Sequence, residues 1–161
     1  MYNIGENIVY PMHGAGTIVD IEEKEILGQL QQYYVVKIPA SEIKLMVPVS
    51  TADEVGVRQV TEKSMLPSVF EEIKASDDTS EANWNKRYRE NLSKIKSGSI
   101  IEVGKVVKSL MLREESRTLS TYEKKMLNNA KQILISELAL ATEDIPENIE
   151  RDLYSLIIKS A

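Results

Sequence analysis

Thr17-Ile18-Val19-Asp20-Ile21-Glu22 alternates apolar and polar side chains, the period of a strand with one buried face. Upstream of it, Asn7-Ile8-Val9-Tyr10 ends at Pro11, and His13-Gly14-Ala15-Gly16 reads as a turn with two residues free to take positive φ. Downstream, Gln32-Tyr33-Tyr34-Val35-Val36-Lys37-Ile38 is rich in β-branched and aromatic residues and stops at Pro39. Ile43-Lys44-Leu45-Met46-Val47-Pro48-Val49 is a further short strand, and Val55-Gly56-Val57-Arg58 closes the set. Short strands with Gly and Pro between them, within about 55 residues, predict a small, strongly bent sheet or partly open barrel.

From Thr61 the period changes to that of a helix. Met65-Leu66, Val69, Phe70 and Ile73 share one helical face, with Pro67 tolerated in a first turn. Ser76-Asp77-Asp78-Thr79-Ser80-Glu81 is polar and acidic and reads as a linker. Trp84, Tyr88, Leu92 and Ile95 fall within about 80° of arc on one face of a helix that Gly98 ends. Ser99 with Glu102, and Ser120 with Glu123, have capping-box spacing and open helices over 100–113 and 120–142. Pro146 begins a last helix with Ile149, Leu153, Leu156 and Ile157 inward. The fold class is therefore α+β. Residues 1–60 form a β domain, 61–81 a helix and polar linker, and 82–161 a helical domain, with no internal repeat.

Composition narrows the function. The chain has 161 residues, 42% hydrophobic and 28% charged, as in an ordinary globular protein. No run approaches the ~20 apolar residues that span a bilayer, and no secretory pattern opens the chain. Cysteine is absent, which excludes disulfides and thiolate metal sites and fits a cytoplasmic location. The net charge of −5 hides an asymmetry. Residues 1–76 carry 11 acidic and 6 basic side chains, a net of −5, while residues 84–131 carry 12 Lys/Arg against 5 Asp/Glu, a net of +7. The second segment is where phosphates would be met, although part of its charge is an ordinary solvated helix face.

No catalytic constellation is visible. His13 is the single histidine and has no nucleophile or orienting acid in a local motif. The glycines at 14 and 16 precede a strand, not the helix that a phosphate-cradling loop requires. Neither enzymatic activity, nor a cofactor, nor a metal is expected.

Trp84, the only tryptophan, heads Asn83-Trp84-Asn85-Lys86-Arg87-Tyr88-Arg89. One reading packs its ring inward at a helix start, as most aromatics do. The other sends it out beside the cations into a gap between stacked bases.

Several stretches together resemble the CarD/CdnL family of bacterial transcription regulators. They are Val9-Tyr10-Pro11 with His13-Gly14 and Gly16, Val47-Pro48, Gly56-Val57-Arg58, Trp84 with Arg87-Tyr88 and Asn91-Leu92, Ser97-Gly98, and Leu119-Ser120 through Glu137-Leu138-Ala139. The resemblance spans all but the last ~18 residues. It implies an N-terminal Tudor-like (SH3-like) small β-barrel domain that docks on the RNA polymerase β subunit, followed by an all-α domain. The helical part would contact promoter DNA at the upstream edge of the transcription bubble. Trp84 would be the minor-groove wedge that stabilises the open complex, with contacts largely independent of sequence.

Lys86, Arg87 and Arg89 would hold phosphates beside it, with an ion pair to a bundle carboxylate as the alternative for Arg87. Lys124 and Lys125 form a second set. On the polymerase side the resemblance points to Lys24 and Met46, where the family commonly has arginines, and to strand-edge pairing and apolar contact over Leu45, Met46 and Val47. The expected protein is a monomer on polymerase, and hence at the nucleoid, away from membranes. A related DNA translocase shares the N-terminal module, but this chain has no nucleotide-binding loop. The remaining alternative is an architectural DNA-binding protein that acts without polymerase.

Overall fold

A computed structural model describes residues 1–39, 41–77 and 83–159. The α+β expectation holds: an antiparallel five-stranded sheet is followed by helices. The strands are β1 (Asn7–Tyr10), β2 (Gly14–Ile26), β3 (Gln29–Lys37), β4 (Lys44–Pro48) and β5 (Arg58–Gln59). Their order in the sheet is β4-β3-β2-β1-β5. The register slips between Ile18 and Asp20, a bulge that leaves apolar Val19 unpaired and exposed. Such a bulge sharpens the bend of a small sheet. Ile8, Ile18, Tyr34, Val36, Val47, Ala52 and Val57 fill its core. Beyond Tyr33 the β2–β3 hairpin continues as an arm exposed to water on both faces.

Five helices follow: α1 (Leu66–Ala75), α2 (Trp84–Lys96), α3 (Ile100–Ser116), α4 (Thr121–Thr142) and α5 (Pro146–Tyr154). Ser155–Lys159 continues from α5 as a wider π-type coil, with Ile157 buried and Leu156 only half-buried. The side chains of Asn83, Ser99 and Ser120 cap α2, α3 and α4 by accepting from the N–H groups of Lys86, Glu102 and Glu123. Each such cap stabilises its helix by about 1 kcal/mol. α1, read from sequence as part of a connecting segment, packs its Leu66, Val69 and Ile73 into the helical core. It reaches α3 at Gly104, where a Cβ would overlap the Cδ1 of Ile73. The acidic linker falls largely on residues 78–81, outside the described residues.

The inner face of α2 coincides only in part with its apolar arc. Its buried residues are Arg87, Asn91 and Ile95, with Tyr88 and Leu92 half-buried on the flank. Hydropathy orients a helix by its apolar residues, and here Arg87 occupies the inner face because the buried Glu123 carboxylate pairs with it.

The two cores touch through the β1–β2 turn. Met12 packs on the helical core, and the Ala15 N–H donates to Ser136 Oγ on α4 at 2.9 Å. Gly98, at φ 72°, lies so close to Pro11 that a Cβ there would approach the proline Cγ to 2.9 Å. Arg58 completes the joint: its Nε and Nη2 donate to Gly98 O at 3.0 and 2.8 Å, and its guanidinium meets Glu137 of α4.

Candidate nucleic-acid interface

Asn83 caps α2, so Trp84 is the first residue of the helix, where no preceding turn covers a side chain. Trp84 is 36% exposed. It is nonetheless held. Tyr88, one turn on, stacks against it with ring centres 5.1 Å apart and planes 15° from parallel. Tyr122, in the first turn of α4, meets it edge to face at 6.0 Å and 65°. The indole Nε1–H donates to Ser120 Oγ at 3.1 Å. That hydroxyl oxygen also accepts from the Glu123 N–H at 3.2 Å, so one oxygen starts α4 and fixes the indole. The ends of α2 and α4 therefore meet at an aromatic cluster whose outer rings face water.

The expected phosphate ligands divide. Lys86 and Arg89 are exposed and lie about 60° apart on the outer side of α2, away from the buried stripe. Lys86 has a loose, solvated pairing with Glu90 at 4.0 Å. Lys124 and Lys125 are exposed, with no ion pair among the described residues.

Arg87 is a correction. Its guanidinium is buried against Glu123, with Nε donating to Oε2 at 3.1 Å and Nη2 to Oε1 at 3.3 Å. The carboxylate is buried too, so neither charge faces the solvent that phosphates occupy. The alternative foreseen for Arg87, an ion pair within the bundle, is the one the fold adopts.

On the β domain, β4 is an edge strand whose outer side has no strand partner among the described residues. Leu45 and Met46 are half-buried there. Val47 needs a correction as an apolar contact: its side chain is fully buried in the β core, and only its backbone reaches the edge. Lys24 is exposed on the hairpin arm opposite Gln31, two strands over and four residues along from Met46, or about 13 Å in the strand direction. The four therefore form a stretch of sheet rather than a single cluster.

Two features went unread in the sequence. Tyr122 sits between Thr121 and Glu123, and its one visible sign is an aromatic at an outward position of a helix start. The Arg58–Glu137 pair joins residues 79 apart. Glu137 Oε2 also accepts from the Thr61 N–H at 2.9 Å and its hydroxyl at 2.8 Å, which saturates a buried carboxylate.

Comparison with known proteins accords with this geometry. Residues 68–153 match the family described as CarD, C-terminal domain, and residues 2–61 match the CarD-like/TRCF RID domain. The chain belongs to the CarD family. A relative is YdeB of Bacillus subtilis (strain 168), named as a candidate transcription factor, which is 44% identical over 138 residues. That alignment covers 86% of this chain and 90% of YdeB. The N-terminal domain is thus of the Tudor-like, RNA polymerase-interacting kind, and the family is one of transcription factors. Among the described residues no helix is long and apolar enough to cross a membrane, and no cluster of His, Cys, Asp or Glu suits a metal ion.

Proposed function

We propose that this chain binds the RNA polymerase β subunit through the edge of its sheet and stabilises the open promoter complex by placing Trp84 in the minor groove at the upstream edge of the bubble. The observation that carries the reading is the Trp84 ring, exposed at a helix start yet tethered to Ser120 and stacked on Tyr88. A ring held in advance loses little freedom when it engages a base, so most of the stacking energy is realised.

A wedge of this kind finds a stacking partner only where bases have come apart. It therefore binds melted DNA more tightly than closed duplex, and that difference is what shifts a melting equilibrium. One base–aromatic stack contributes about 1–3 kcal/mol, enough for a shift of about 5- to 150-fold. Lys86, Arg89, Lys124 and Lys125 supply phosphate contacts without sequence preference. Lys24, Leu45, Met46 and the Val47 backbone belong to the polymerase side, where an added strand could pair along β4. Bound as a monomer on polymerase, the protein acts in the cytoplasm at the nucleoid.

The test is the lifetime of a promoter open complex with and without the protein. Wild type lengthens it, and Trp84→Ala abolishes most of the effect while polymerase retention is unchanged. No retention of polymerase at low salt would instead support an architectural DNA-binding protein that acts alone.

A further inference from the structure

Tyr122 is the most exposed aromatic ring beside Trp84, with 63% of its surface open to water, and the wedge as proposed makes no use of it. An exposed tyrosine on a helix is ordinary. This one stands at 65° to the Trp84 ring with centres 6.0 Å apart, so the two planes form a corner rather than a flat patch. Tyr88 lies nearly parallel to Trp84 and braces it within the same cluster. Lys125 follows Tyr122 by three residues, which sets its ammonium on the same side of α4, and it has no ion pair among the described residues. Two aromatic walls with a free cation alongside suit a flat, uncharged ring joined to a phosphate. An apolar protein segment would not need the lysine.

We infer that Tyr122 and Trp84 together form a notch for a single unstacked base of the melted strand, with Lys125 on its phosphate. Trp84 opens the step, and Tyr122 supplies the second surface that keeps the displaced base from returning to its pair. This inference rests on the proposed wedge and adds a residue to it. Every base has a face to stack, so the notch takes an unpaired base of any identity. A base within an intact duplex does not enter.

The test uses the full-length protein, polymerase holoenzyme and a promoter fragment with 2-aminopurine placed in turn at each position of the upstream bubble edge. Wild type quenches the probe at one position. Tyr122→Ala should lose that quenching and shorten the complex lifetime about fivefold or more, the lower end of one base stack. Tyr122→Phe should retain both, because the ring and not the hydroxyl acts. Tyr122→Leu separates contact from support, since leucine still packs against Trp84 but offers no face to a base. Failure of Tyr122→Leu, like that of alanine, sustains the notch, whereas full rescue by leucine overturns it. Wild-type behaviour of Tyr122→Ala beside a defective Trp84→Ala overturns the notch and leaves the wedge standing. Wild-type behaviour of both overturns the two together.

Discussion

Arg58 and Glu137 meet as a two-pronged ion pair, Nη1 to Oε2 at 2.8 Å and Nη2 to Oε1 at 2.7 Å, between the last strand of the sheet and the longest helix. The pair joins the polymerase-interacting domain to the domain that bears Trp84. Glu137→Ala removes the acceptor of four donors and leaves Arg58 with the Gly98 and Gln59 carbonyls. Breaking a buried pair costs about 3–5 kcal/mol, and the lower figure applies because water reaches the arginine. Denaturant unfolding should show a loss near ~3 kcal/mol. A loss under ~1 kcal/mol would mean that the joint does not depend on this pair.

Arg87 and Glu123 are buried together, so Arg87→Ala should destabilise the helical domain by about 3–5 kcal/mol. The salt dependence of DNA binding should stay as in wild type. Replacing both residues by apolar ones, Arg87→Met with Glu123→Leu, should recover most of the stability. Weakened DNA binding by a fully stable Arg87→Ala protein would return this residue to the phosphates.

For Trp84→Ala the stability loss should be small. The ring gives up one stacked and one edge contact, each worth about 0.5–1.5 kcal/mol, an exposed hydrogen bond to Ser120, and little core area. A thermal or denaturant melt should show about 1–3 kcal/mol, against about 3–5 kcal/mol for an aromatic truncated in a core. A value at the upper end would mark the ring as packing.

Binding to free DNA should be weak and strongly dependent on salt. With three to four of Lys86, Arg89, Lys124 and Lys125 on phosphates, log affinity should fall against log salt with a slope of about −2.7 to −3.6, from about 0.9 per contact. Lys86→Ala with Arg89→Ala should flatten it by about 1.8 on every sequence alike. A sequence-selective complex would show that base edges are being read.

Gly104→Ala should lower stability by about 1–3 kcal/mol, because the added methyl meets Ile73 where α1 crosses α3. Ile73→Val in the same chain removes the overlapping Cδ1 and should restore part of the loss. An unaffected Gly104→Ala protein would show that the two helices separate freely.

What could be read from the sequence follows what was buried. The short strands announced themselves through alternation, and α3 and α4 through their serine caps. The outer part of the β2–β3 hairpin did not, because water lies on both of its faces and only pairing holds it extended. On α2 the apolar arc and the inner face overlap only at Ile95 and, in part, at Tyr88 and Leu92. The true inner stripe includes Arg87, whose charge is satisfied by a carboxylate 36 residues away, a relation that no local period encodes. A similar separation hides Tyr122. It is one tyrosine among seven until α4 brings it against the indole.

That indole is also the protein's sole strong fluorophore, since the chain has one tryptophan. Excited at the red edge, where tyrosine no longer absorbs, the protein emits from the surface where the two helix ends meet. Departure from Ser120, or a nucleobase laid against its face, would register as a change in colour or yield of the unlabelled protein. If Trp84 meets DNA as proposed, the protein needs no attached dye to report it, and stopped-flow mixing with unpaired DNA could time that event.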